Sequence, residues 1–431
     1  MTNPIKTRFL LLFLFLSIQF FAYAQNLRQD NSIRRGKILE TSNLGHMNKG
    51  KIKLLMKLLE KEVAKQFDLQ YDVDVYKVVY ETIDIKGNKT QASGMVAIPK
   101  NAKGDLPIMS FQHGTVLEKD FVPSHKKAGY EVGIVFGSEG YVTVLADYLG
   151  LGEGEGFHPY FHAQTEASAC LDMLRAARNL CAGKGVSLNN QLFLVGYSQG
   201  SHATMALQRE IETNYFSEFK VTASVALGTP FDLSESQFNQ LMDEKPYVSP
   251  SCLPYILCAY NQIYKMYPNI NDIFRSPYDK IFPTYFNEEM PYSHKKLDVV
   301  LKGKIPTDFI KAEIIKAVNE NPDHPIRKAL KNNDVYNWTP KAPIKICHCD
   351  ADIHVSPASS VKAFEQFKAN GLKDVELLNP KEGADHTECA IPSMLVARNW
   401  FATMKKLENL IPPPANTLKN NVIVDKNGSN K

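Results

Sequence analysis

A chain of 431 residues, 44% hydrophobic and 22% charged, carries enough apolar material to close a sizeable core, which excludes a disordered or fibrous protein. Its formal charge of +4, from 50 basic against 46 acidic side chains, gives no reason to expect a nucleic-acid partner. Beyond the amino terminus no segment stays apolar for the roughly 20 residues that a spanning helix needs, so stable membrane insertion is not expected either.

The chain opens with Lys6 and Arg8, an apolar run from Phe9 to Ala22, and small residues at Ala22 and Ala24. That pattern predicts a secretory signal peptide over residues 1–24, cut near Ala24, and hence a secreted or periplasmic protein. Its removal lowers the formal charge to +2 and leaves about 407 residues, more than one core usually holds, so a main domain with an insertion is expected. No cysteine lies near the cut, which argues against a lipid-anchored amino terminus.

Residues 25–70 read as a helical extension. From Met47 to Phe67, Ile52, Leu54, Leu55, Leu58, Leu59 and Val63 recur at spacings of three and four. Alternating stretches at Val75–Ile83 and Ala92–Ile98, separated by Lys86-Gly87-Asn88, predict an antiparallel hairpin. After Pro107 short apolar strands alternate with helices. The strands are Ile108–Gln112, Tyr141–Ala146, Leu192–Tyr197, Val221–Leu227, Ile344–Cys347 and Val375–Leu378; the chief helices are Glu166–Cys181, Gln199–Thr213, Pro357–Asn370 and Ile391–Leu407. That order predicts an α/β fold, a mostly parallel sheet with helices on both faces.

More than a hundred residues separate Leu227 from Ile344, far beyond an ordinary crossover. Residues 231–340 are therefore expected to form an inserted cap, with the core built from 71–230 and 341–408 and a polar tail at 409–431. Residues 247–292 hold eleven aromatics, over twice the 10% of the whole chain, which read either as a wall over an apolar cleft or as the insert's own core. Seven cysteines (170, 181, 252, 258, 347, 349 and 389) permit up to three disulfides. Cys252 and Cys258 are close enough to close a small loop, or all are buried thiols.

Gly196-Tyr197-Ser198-Gln199-Gly200 lies between the strand run Leu192–Val195 and the helical spacing of Thr204, Met205, Leu207 and Ile211. A sharp strand-to-helix turn flanked by Gly196 and Gly200 holds a hydroxyl above a sheet, so Ser198 is the expected nucleophile. A serine needs a base, and the base needs an orienting carboxylate. Past the strand Ile344–Cys347 stand Asp350 and Asp352; Asp352 is the first choice and Asp350 the alternative. His386, in the turn after the last strand, is the expected base, since His354 lies too close to Asp352 in the chain. The oxyanion donors expected are the main-chain amides of Gln199 and Thr115, in the loop His113-Gly114-Thr115. Gly114 lets the backbone approach, and His113 orients that loop by a hydrogen bond.

The segments "YETIDIKGNKTQASGMVAIP", "FQHGT", "VGYSQGSHA" and "GADHTEC", with the Asp147-Tyr148-Leu149-Gly150 loop and the stretch running through Cys347-His348-Cys349-Asp350-Ala351-Asp352, resemble the secretory lipase family of α/β-hydrolases over about residues 70–405. The resemblance implies the α/β-hydrolase fold with a largely helical cap between the sixth and seventh strands of that fold. It also implies cleavage of carboxylic esters, some of them lipids, by a triad of Ser198, Asp352 and His386, with Thr115 and Gln199 as oxyanion donors and no cofactor. Two departures stand out: Ser201 follows Gly200 where the family often has glycine, and Cys349 follows His348 where glycine is usual.

Rival readings are an exported peptidase, a carbohydrate (acetyl or feruloyl) esterase, and an inactive binding protein of the same fold. A metal site at Cys347, His348, Cys349, Asp350, Asp352 and His354 is disfavoured, because neighbours on a strand point to opposite faces.

Overall fold

The computed structural model describes residues 35–59, 61–243, 245–290 and 294–408. The expected signal peptide and carboxy-terminal tail lie outside the described residues. Nine strands, β1 (Ile38–Met47), β2 (Val73–Ile83), β3 (Lys89–Pro99), β4 (Leu106–Gln112), β5 (Val142–Ala146), β6 (Leu188–Tyr197), β7 (Val221–Leu227), β8 (Ile344–Cys347) and β9 (Val375–Leu378), form one sheet in the order β1-β2-β3-β5-β4-β6-β7-β8-β9. The pairs from β1 through β3 to β5 are antiparallel and the remaining five are parallel. All residues of β4 and β5 are buried, as the continuous apolar runs of a doubly covered parallel sheet require.

The principal helices are α1 (Lys49–Leu59), α2 (Tyr130–Ser138), α3 (Ala163–Gly183), α4 (Gln199–Asn214), α5 (Cys252–Tyr264), α6 (Pro325–Asn332), α7 (Pro357–Ala369) and α8 (His386–Glu408). On one side of the sheet α1, α2 and α8 bury Ile52, Phe136 and Phe401 with Met109 and Phe193. Another cluster joins Leu174 of α3 and Leu207 of α4 to Ile108 and Leu194, and runs on into Leu253, Phe274 and Phe282 between β7 and β8. One packed core thus carries the long insertion on the sheet.

One expectation is corrected, and one pair of alternatives is decided. Residues 25–70 are not wholly helical, since Ile38–Met47 forms an antiparallel edge strand on β2. Its side chains are mostly exposed, so no hydrophobic alternation marks it, and it exists because β2 offers an open hydrogen-bonding edge. The aromatics of the insertion mainly fill its own interior. Tyr255 stacks between Tyr160 and Phe286, with centroids at 4.1 and 4.6 Å, while Phe282 meets Phe274 and Phe309 edge-on. Tyr292 lies outside the described residues.

Candidate active site

The turn between β6 and α4 is fixed by what its glycines touch. A Cβ on Gly196 would stand 2.1 Å from the carbonyl oxygen of Gly200, and one on Gly200 would stand 2.0 Å from that of Gln112. Only glycine permits this approach, and it forces Ser198 to φ 58° and ψ −124°. A non-glycine residue with positive φ is strained, and the cost is borne by the packed strand and helix around it. The departure at Ser201 has a structural use: its Oγ accepts the N–H of Leu227 at 2.8 Å and bonds Thr229 Oγ1, tying α4 to the end of β7.

Beside this turn, His386 opens α8. Its Nδ1 lies 2.6 Å from Oδ2 of Asp352, whose Oδ1 accepts the N–H groups of His354 and Val355, each at 2.9 Å. Asp350, the alternative acid, is exposed and makes no contact with His386. Its Oδ1 accepts from the Gly383 N–H at 2.8 Å and from Asn379 at 3.1 Å, and these bonds hold its pKa below the ordinary carboxylate range. The His386 ring is held between Tyr197, with centroids 4.8 Å apart, and His354, stacked at 5.1 Å. The Tyr197 hydroxyl donates to the His386 carbonyl. Gly228 lies against the ring edge, where a Cβ would be 3.1 Å from Cε1. Burial, reinforced by the neighbouring His386, pushes the His354 pKa down.

The cysteine spacing alone fixes no pairing. Cys349, three residues before Asp352, is bonded to Cys389, three after His386, so a disulfide joins the Asp352 loop to the first turn of α8. Cys252 and Cys258 are both free, because six residues apart on α5 they face different directions. Three donors of the Cys347–His354 segment have separate partners: Cys349 its disulfide, Asp350 the Gly383 loop, and Asp352 the imidazole.

Ser198 and His386 line one cavity of about 290 Å³ together with Gly114 and Thr115. A Cβ on Gly114 would stand 3.2 Å from the Tyr197 carbonyl, so the loop after β4 lies against the serine turn. His113 is buried, with Nδ1 2.8 Å from the Gly114 carbonyl and Nε2 3.4 Å from that of Asp147; burial lowers its pKa. Thr115 Oγ1 bonds the Tyr160 hydroxyl at 2.8 Å, and Gln199 is fully buried at the first position of α4. Leu117, Phe161, Leu241 and Ile256 give the cavity an apolar wall, while Ser249, Ser251 and Asp298 supply a polar one. Of the insertion's aromatics, Tyr247 faces it. Behind the serine turn, the buried Glu166, His158 and His202 form a polar cluster that the sequence reading did not single out.

A mixed sheet with this strand order, a serine at the β6–α4 turn and a histidine past the last strand defines an α/β-hydrolase. The secretory lipase family model matches residues 131–407, and the chain belongs to that family. It is a carboxylic ester hydrolase. In three dimensions it is similar to a protein from Legionella pneumophila (24% identity, TM-score 0.79, covering 86% of this chain and 99% of that one). It is also similar to the rice cell wall degrading esterase LipA from Xanthomonas oryzae (24%, 0.75, 87% and 99%) and to Candida antarctica lipase A (15%, 0.66, 88% and 84%). At such identities the likeness is one of fold. No curated protein matches the chain in sequence. Among the described residues no helix is long and apolar enough to cross a membrane.

Proposed function

We propose that this is a secreted serine esterase that works through an acyl-enzyme, with Ser198, His386 and Asp352 as its triad. The observation that carries the reading is the 2.6 Å contact between His386 Nδ1 and Asp352 Oδ2, on a ring that lines the same cavity as Ser198. An Nδ1–H donated to the carboxylate leaves Nε2 as the base. Ser198 Oγ attacks the ester carbonyl carbon and its proton passes to Nε2; the amides of Gln199 and Thr115 stabilise the oxyanion. Collapse breaks the bond to the alkoxy oxygen, which leaves as the alcohol with the proton from His386. Water, deprotonated by the same imidazole, then attacks the acyl-enzyme and releases the acid.

The cavity volume falls near the lower limit for ligand sites, about 300 Å³, and its apolar wall suits a short acyl group. The amino-terminal apolar run behind Lys6 and Arg8 supports action outside the cytoplasm, after cleavage near Ala24. Ser198→Ala should lower kcat on a chromogenic butyrate ester by something like 10⁴ to 10⁶. A serine-directed phosphonate should label Ser198 in the wild-type protein. Wild-type turnover by Ser198→Ala, or labelling elsewhere, refutes the assignment. A rate that climbs steadily from butyrate to palmitate esters would refute the acyl-length preference while leaving the triad standing.

A further inference from the structure

Four buried polar side chains meet beneath the first turn of α4: His158, Glu166, Gln199 and His202. Gln199 Nε2 donates to Glu166 Oε1 at 3.0 Å and lies 3.1 Å from His158 Nε2; Glu166 Oε2 lies 2.6 Å from His202 Nδ1. Partners that only accept fix the protons. His158 Nδ1 faces the Leu149 carbonyl at 2.9 Å and donates to it, so Nε2 of the neutral ring accepts from Gln199. Burial pushes the His158 pKa down to about 4, in keeping with a neutral ring. His202 Nε2 faces the Asn333 carbonyl at 2.7 Å and donates there, so the bond to Glu166 contains one further proton. Written as imidazolium and carboxylate or as imidazole and carboxylic acid, the Glu166–His202 pair has no net charge.

The Gln199 carboxamide is thereby fixed in one orientation. Both its N–H groups are committed, and turned over it would set its oxygen against a carboxylate and an imidazole lone pair. Its Oε1 has no protein partner and is buried, which makes the orientation costly for stability. Gln199 follows Ser198 directly, so whatever locks its side chain also sets the direction of its main-chain N–H. A bare carboxylate at this depth would oppose a developing oxyanion, whereas the proton shared with His202 cancels that charge.

We infer that Glu166 is a positioning residue for the oxyanion hole: paired with His202, it clamps the Gln199 carboxamide and so aims the Gln199 N–H at the reacting carbonyl oxygen. The inference rests on the Ser198 and Gln199 assignment above. Its test is kcat per active site, counted by phosphonate titration of the purified full protein, on a chromogenic butyrate ester. Counting sites removes any loss that is simply misfolding. Loss of a whole oxyanion donor costs about 10²- to 10³-fold, so Glu166→Ala, which removes the acceptor for Gln199 and the partner of His202, should lower kcat per site by roughly tenfold or more with KM within about twofold. Gln199→Ala, which keeps the N–H but removes the clamped carboxamide, should show the same fall. Adding Glu166→Ala to Gln199→Ala should then change nothing further. Should Glu166→Ala yield no titratable sites, Gln199→Ala alone decides. Unchanged kcat per site in either single variant, or a full additional loss in the double variant, overturns the inference. Absence of Ser198 labelling in the wild-type protein would instead overturn the reading on which it rests.

Discussion

Asp350 and Asp352 differ by two positions and by everything their oxygens touch. Asp352 holds the His386 Nδ1–H and is itself held by two main-chain N–H groups, whereas Asp350 organises the Gly383 turn. Asp352→Asn would turn an amide N–H towards Nδ1 and favour the wrong tautomer, so kcat should fall by about 10⁴. Asp350→Asn keeps an acceptor for Gly383 and should stay within about tenfold of wild type. Steady-state rates of the two variants on one ester check this, and a larger loss for Asp350→Asn would reverse the assignment. Ser198 was legible because its two glycines and flanking strand and helix are local sequence features. His386 was legible from chain order alone. Glu166 was not, because a carboxylate in the first turn of a helix reads as a partner for the helix dipole, and nothing local says that Gln199 and His202 come to meet it.

The acid loop and α8 lie on separate elements, and Cys349–Cys389 binds them 40 residues apart in the chain. Closing a loop of that length constrains the unfolded chain enough to contribute about 4 kcal/mol. The joint change Cys349→Ser with Cys389→Ser should therefore lower the urea midpoint substantially, and should lower kcat because the start of α8, which carries His386, is no longer tied to the Asp352 loop. An unchanged midpoint would show that packing of Ala384 and the neighbouring core suffices. Sequence could not supply this pairing: spacing says nothing about which loops meet at the sheet edge, and Cys252–Cys258 was nearer in the chain. The same limit hid β1, whose polar exposed residues carry no period and whose only reason to be extended is the partner strand. The parallel strands were legible because burial on both faces writes itself as an unbroken apolar run.

Buried ionisable groups govern the molecule's response to acid. Asp172, fully buried, is satisfied by Arg35, Thr82 and Arg175, so that the amino-terminal segment is fastened to β2 and α3. His158 and His162 are different, because burial pushes each pKa down from 6.5 to about 4. Below pH 6.5 the unfolded chain takes up protons that the folded rings refuse. Stability is thus fully present above 6.5 and is lost progressively as pH falls towards 4, by on the order of 3 kcal/mol for each ring. Asp334 acts in the opposite sense: burial raises its pKa to about 6, so its protonation favours the folded state as pH falls through the same window. Asp147 and Asp172, also raised by burial, act as Asp334 does, while His113, His324, His348 and His354, also lowered by burial, side with the two imidazoles. The urea midpoint should accordingly drop between pH 7 and pH 4.5. His162→Asn, which leaves a residue suited to the cap of α3 but removes one titrating ring, should make that drop visibly shallower. A midpoint that holds constant over this range, or an equally steep drop in His162→Asn, would mean that these rings are not what makes the fold acid-sensitive.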